Sequence, residues 1–179
     1  SISCDTLLLS VGLIPENELS KKAGVLIDPI TGGPFVDDRF ETNVPGIFAA
    51  GNVVHVYDLV DWVSEAGRQA GVSAAKFAMV ERRRENTHVP IKTGDNVRYV
   101  VPQTIDRESL AQTDVRLQLR VRQPIESSVW VEVRNNGNLV TRKGELYARP
   151  GEIITLEIPM KAYDEVQLAD ELTIAIVKR

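Results

Sequence analysis

Cysteine is almost missing: Cys4 is the single one in 179 residues. That excludes an internal disulfide framework and a Cys-x-x-Cys pair within this chain, and it suits a reducing, cytoplasmic setting. Histidine is scarce too, with only His55 and His88, far apart, so no metal site is expected. No apolar run approaches the ~18 residues of a membrane span, so no membrane partner is expected. Aromatic residues make up 6% and the net charge is −4, which argues against a nucleic-acid partner. No Ser/His/Asp arrangement is legible, and catalytic residues stay unassigned. There is no initiator methionine, and Ser1-Ile2-Ser3-Cys4-Asp5 is no signal peptide. A fragment of a longer protein is the expectation. What is present is ordinary globular material, 43% apolar and 26% charged.

The chain opens on Thr6-Leu7-Leu8-Leu9-Ser10-Val11-Gly12, the pattern of a strand buried on both faces. Cys4, at its entry, is expected to be buried or half-buried and without a catalytic role. Pro15-Glu16-Asn17 turns the chain, and Glu16 to Lys22 predicts a short helix ending near Gly24. Val25 to Asp28 and Phe35 to Asp37 read as short strands joined through Pro29 to Pro34. Then comes Val44-Pro45-Gly46-Ile47-Phe48-Ala49-Ala50-Gly51-Asn52, a tight turn and a short buried strand ending in glycine.

From about Leu59 to Met79 the periodicity predicts a helix. Leu59, Val63, Ala66, Ala70, Ala74 and Phe77 form its apolar face. Gly67, Gly71 and Ala75 form a stripe of small residues, expected to lie close to a sheet or ligand at a cost of about 1 kcal/mol per glycine. Glu81-Arg82-Arg83-Arg84-Glu85 closes the helix with cations.

Residues 86–95 read as an irregular linker punctuated by Pro90 and Gly94. After it the period changes to two. Val115, Leu117, Leu119 and Val121 alternate with polar residues, as do Val129, Val131 and Val133. Arg116, Arg120 and Arg122 form a wet arginine face expected to be solvated. Asn136-Gly137 signals a hairpin. Further strands are predicted at Arg98 to Pro102, Leu139 to Ala148, Ile153 to Ile158 and Leu172 to Val177. Roughly six short strands in about 85 residues suggest a small β-sandwich resembling the immunoglobulin class.

Residues 4–80 resemble the C-terminal part of the FAD-dependent pyridine-nucleotide–disulfide oxidoreductase family. The likeness rests on the glycine-ended first strand, Pro15-Glu16-Asn17, the hairpin, Thr42 and the Val44-to-Gly51 segment. Asn52 stands where the family usually has aspartate. The resemblance implies an α/β segment of an FAD-binding, Rossmann-like domain over residues 1–85, followed by the β-sandwich over residues 96–179. It implies that Ala50, Gly51 and Asn52 lie at the ribityl chain of FAD. Asn52 would keep an acceptor oxygen and lose the charge. Backbone around Asp61, Trp62 and Val63, at the helix start, would meet the flavin ring, where the helix dipole favours reduced flavin. His55 is a candidate to face the isoalloxazine, with Trp62 also able to serve packing alone.

A Gly-x-Gly-x-x-Gly turn, needed to seat a pyrophosphate on a helix N-terminus, is absent from this chain. The resemblance therefore implies that NAD(P) binds a parent enzyme outside these residues, and that the isolated chain is inactive and binds FAD weakly or not at all. It also implies a small-molecule substrate of unknown identity, and a homo-oligomer or a partner oxidoreductase subunit. The competing expectation is a non-enzymatic interaction module whose β-sandwich docks a partner subunit.

Overall fold

The computed structural model describes residues 2–10, 12–79 and 88–179. The cationic stretch Glu81 to Glu85 lies outside them, as do Val11 and the first two residues of the expected linker.

The described residues of the opening run, expected as a strand buried on both faces, form no strand. Leu7, Leu8 and Leu9 are 73–89% exposed, Cys4 is exposed as well, and no strand of the described residues pairs with them. Apolar residues alone do not make a strand; the ladder needs a partner, and burial needs two covering faces.

Local chemistry takes over at Asn17. Helix α1 (Glu18–Lys22) carries Lys21 and Lys22 in its last turn, where the dipole favours cations. Asn17 is 3% exposed, and its side chain does not cap α1. Instead its Nδ2 donates to Gly32 O and to Val53 O, both at 2.9 Å. One amide thus ties a hairpin tip to the turn beside Asn52. The expected hairpin is present, with Phe35 N donating to Leu26 O at 2.9 Å and Asp28 N to Gly33 O at 2.8 Å. The segment from Ile47 to Ala50 is half-buried and makes only a bridge, between Glu41 and Phe48. A 3-10 turn (Gly51–Val53) follows, then helix α2 (Val60–Met79).

α2 buries Ala66 and Ala70 against Phe40, Tyr57, Tyr99 and Val101. Val63 and Ala74 are half-buried, while Leu59 and Phe77, predicted on the same face, are 58% and 37% exposed. The small-residue stripe also departs from expectation. A Cβ placed on Gly67 or Gly71 meets nothing within 4 Å, so among the described residues that stripe faces open space.

The β-region has eight strands: β1 (His88–Thr93), β2 (Val97–Val101), β3 (Thr104–Asp106), β4 (Val115–Val121), β5 (Val129–Asn135), β6 (Asn138–Glu145), β7 (Ile154–Ile158) and β8 (Leu172–Lys178). Two short helices join them, α3 (Arg107–Leu110) and α4 (Tyr163–Gln167). One sheet runs β3-β1-β8-β5-β6 and the other β2-β4-β7. β1 and β8 pair in parallel; the remaining pairs are antiparallel. Leu117, Leu119, Val131, Val133, Ile158 and Ile174, all 0% exposed, come from both sheets and share one core. The Asn136-Gly137 hairpin joins β5 to β6, with φ of 47° and 85° at those residues. β1 occupies residues expected to be irregular; its inward pair, Val89 and Ile91, is too short a pattern to read against Pro90.

The N-terminal segment lies on the outer face of the three-stranded sheet. Tyr99 and Val101 of β2 join the core of α2, and Gln118 on the polar face of β4 is 6% exposed. At a second junction Gln103 accepts Val36 N at 3.0 Å through its side-chain oxygen, and its backbone N–H returns the bond to Val36 O at 3.1 Å. Hydrogen bonds and apolar side chains thus cross between the two units.

Candidate functional site

The residues singled out by sequence fall on one loop and one helix start. Gly51 opens the 3-10 turn with φ of +78°, a region glycine enters without steric cost. A Cβ there would also stand 3.3 Å from Val63 Cγ1. Turn and helix start thus touch directly, and Gly51 is buried by the protein itself.

Ala50 and Asn52 are half-buried. Asn52 Oδ1 accepts from Tyr57 N–H at 3.1 Å, its one side-chain bond among the described residues. This bond folds the loop 52–57 back on itself. It leaves the Asn52 carboxamide with a second lone pair and its N–H₂ group. Asp61 is exposed on the first turn of α2, and Val60 is 75% exposed beside it. Trp62 is half-buried, with the Arg116 guanidinium 5.0 Å from the centre of its ring. Structure thus brings Ala50, Gly51, Asn52 and Val63 together, with Asp61 and Trp62 just before Val63 on the same helix turn.

His55 is placed elsewhere. It is 1% exposed, with its ring 4.3 Å from that of Tyr57 and 5.7 Å from that of Tyr99. A side chain so enclosed has no surface to offer a flavin ring, which corrects the expectation that it faces one. Its Nδ1 stands 3.4 Å from Tyr99 Oη, and among the described residues its Nε2 has no hydrogen-bond partner. Burial pushes its pKa down to about 4, the neighbouring Gln118 amide opposing the shift and the Arg120 charge adding to it. His55 is thus neutral near pH 7. Burial also raises the Tyr57 phenol pKa, and Tyr57 is a packing residue at neutral pH.

The residues that sequence reasoning missed are on β2 and β4. Arg120 belonged to the expected solvated face, yet its side chain is 12% exposed. Its Nε donates to Tyr99 Oη at 2.9 Å, its Nη1 to Pro150 O at 3.3 Å, and its Nη2 to Val56 O at 3.1 Å and to Asp58. The other Asp58 oxygen accepts Ile153 N–H at 2.6 Å. Arg116 and Arg122 carry the same period-two signal, so alternation gave no means of telling Arg120 apart.

A second charged group sits at the 37–39 turn. Arg39 Nη2 is 2.7 Å from Asp106 Oδ2, and His88 Nε2 is 3.1 Å from Asp37 Oδ2. Asp38 Oδ1 accepts Asp106 N–H at 2.7 Å. Burial first, then the Asp37 charge, push the Asp38 pKa up to about 6, against the Asp106 hydrogen bond. These contacts join the hairpin to β1 and β3. Among the described residues no group of three or more His, Cys, Asp and Glu side chains could hold a metal ion. No helix among them is long and apolar enough to cross a membrane. An open groove of about 780 Å³ runs between β6 and β7, with Trp62 and Arg116 at one side.

The family described as pyridine nucleotide-disulphide oxidoreductase matches residues 1–75. Mitochondrial dihydrolipoyl dehydrogenase of Caenorhabditis elegans is 46% identical over 55 residues, which is 30% of this chain and 11% of that protein. The chain therefore spans about a tenth of the length of that relative. No solved structure matches the chain at a significant level. The matched residues 1–75 include the loop and helix start described above.

Proposed function

We propose that residues 1–85 form the ribityl and ring side of the flavin site of an FAD-dependent, NAD(P)-linked oxidoreductase, and that the β-region braces it. The observation that carries this reading is the convergence of Gly51, Asn52 and the open first turn of α2. Those residues suit the group. Ala49 and Ala50 add little bulk, the Asn52 carboxamide retains donors and a lone pair for hydroxyl groups, and a 20-residue helix presents its positive end beside them. When bound, a flavin supplies hydride chemistry with a nicotinamide partner; this chain's part is to bind, orient and exclude water. The Gly-x-Gly-x-x-Gly turns for FAD and NAD(P) belong to other residues of such an enzyme.

Titrating FAD into the 179-residue chain and following flavin fluorescence tests the division of labour. Weak or no binding is expected, together with bound flavin in the full-length protein. Tight stoichiometric binding by the chain alone would overturn it.

A second reading, a non-enzymatic module that docks a partner subunit, is favoured by the open groove between β6 and β7. A colourless full-length protein that holds no FAD would select it. A homo-oligomer or a partner oxidoreductase subunit, a cytoplasmic location and a small organic substrate are part of the first reading.

A further inference from the structure

The loop between Asn52 and α2 is held from outside its own segment. Val56 O and Asp58 are both bound by the guanidinium of Arg120, which lies on β4, and Asp58 also takes Ile153 N–H at 2.6 Å, next to β7. Between these two fixed points stands Tyr57, whose N–H donates to Asn52 Oδ1 at 3.1 Å. A planar fork with five donors can hold Val56, Asp58, Tyr99 and Pro150 at once; a lysine ammonium, with three donors on one atom, cannot reproduce that spread. Arg120 is anchored in turn by Tyr99 Oη at 2.9 Å.

We propose that Arg120 is a positioning residue for the flavin site: by clamping Val56 and Asp58 it presents Tyr57 N–H to Asn52 and so sets the orientation of the Asn52 carboxamide and of the α2 start. The inference rests on the functional reading above for its ligand, but its geometry is a property of this chain. It gives the β-region a specific task. The β-region acts on the ligand loop through one side chain, in addition to covering apolar surface.

The test has two arms. In this chain, amide exchange is followed by mass spectrometry in wild type, Arg120→Met, Arg120→Lys and the control Arg122→Met. Arg120→Met is expected to speed exchange at residues 52–63 by about tenfold or more, with the β-region core unchanged. Arg120→Lys is expected to restore little of the protection, and Arg122→Met to leave those residues as in wild type. In the full-length protein, Arg120→Met is expected to weaken FAD binding about tenfold, and to add nothing once Asn52→Leu is present. Unchanged exchange at residues 52–63, acceleration spread over the whole chain, or losses from Arg120→Met and Asn52→Leu that simply add would each overturn the proposal. A full-length protein without flavin would defeat the functional reading instead; the exchange arm then decides the clamp alone.

Discussion

A Cβ at Gly33 would stand 1.8 Å from the Val54 carbonyl oxygen and 2.6 Å from Val54 Cα. The hairpin tip is pressed onto the chain just beyond Asn52 at a distance only glycine permits, and Asn17 fastens the same two places by bonds to Gly32 O and Val53 O. Gly33→Ala must therefore force backbone apart. A loss of roughly 3 kcal/mol or more is expected, read as a lowered urea midpoint. Gly71→Ala, where a Cβ meets nothing within 4 Å, is expected to be neutral or to stabilise α2 by up to about 1 kcal/mol in this chain. Equal effects from the two substitutions would contradict the close approach.

His55 makes the stability of the fold sensitive to acid. Its folded pKa of about 4 lies below the ordinary 6.5, so its contribution is complete above about pH 6.5 and is lost as pH falls through 4. The stake is on the order of 3 kcal/mol. Between pH 7 and pH 4.5, wild type is expected to lose more stability than His55→Phe, whose ring does not titrate. Parallel losses in the two proteins would show that His55 is not buried as a neutral ring.

Asp38 works in the opposite sense. Its pKa is raised to about 6, so the folded state favours the protonated carboxyl and that contribution fades as pH rises through 6. Asn in its place keeps an acceptor for Asp106 N–H and removes the charge. Asp38→Asn is expected to stabilise the protein at pH 7.5 by about 2 kcal/mol and to gain little at pH 4. A lower melting temperature at pH 7.5 would contradict this.

Much of this architecture is visible in residue order because its signals are local. The period of two in β4 and β5, the Asn136-Gly137 turn and the 3.6-residue pattern of α2 each depend on neighbours within a few positions. What stayed hidden depends on distant partners. Thr6 to Val11 has the composition of a buried strand, but Leu7 to Leu9 within it are exposed and pair with none of the described residues. β1 exists because β3 and β8 flank it, which two inward residues around Pro90 cannot announce. Ala50, Gly51, Asn52 and the start of α2 were legible as a group. The removal of His55 to the interior, and the clamp from Arg120, follow from a sheet 44 and 62 residues further on.

On the proposed reading, the Gly51-Asn52 turn and the α2 start hold a flavin. That reading is tested most directly by the flavin content of the full-length natural protein, purified as wild type and as Asn52→Leu, by visible absorbance after gel filtration. A stoichiometric flavin in wild type and a marked loss in the variant, with the same circular dichroism spectrum, is the expected result. Equal flavin in both proteins, or none in wild type, would contradict the account.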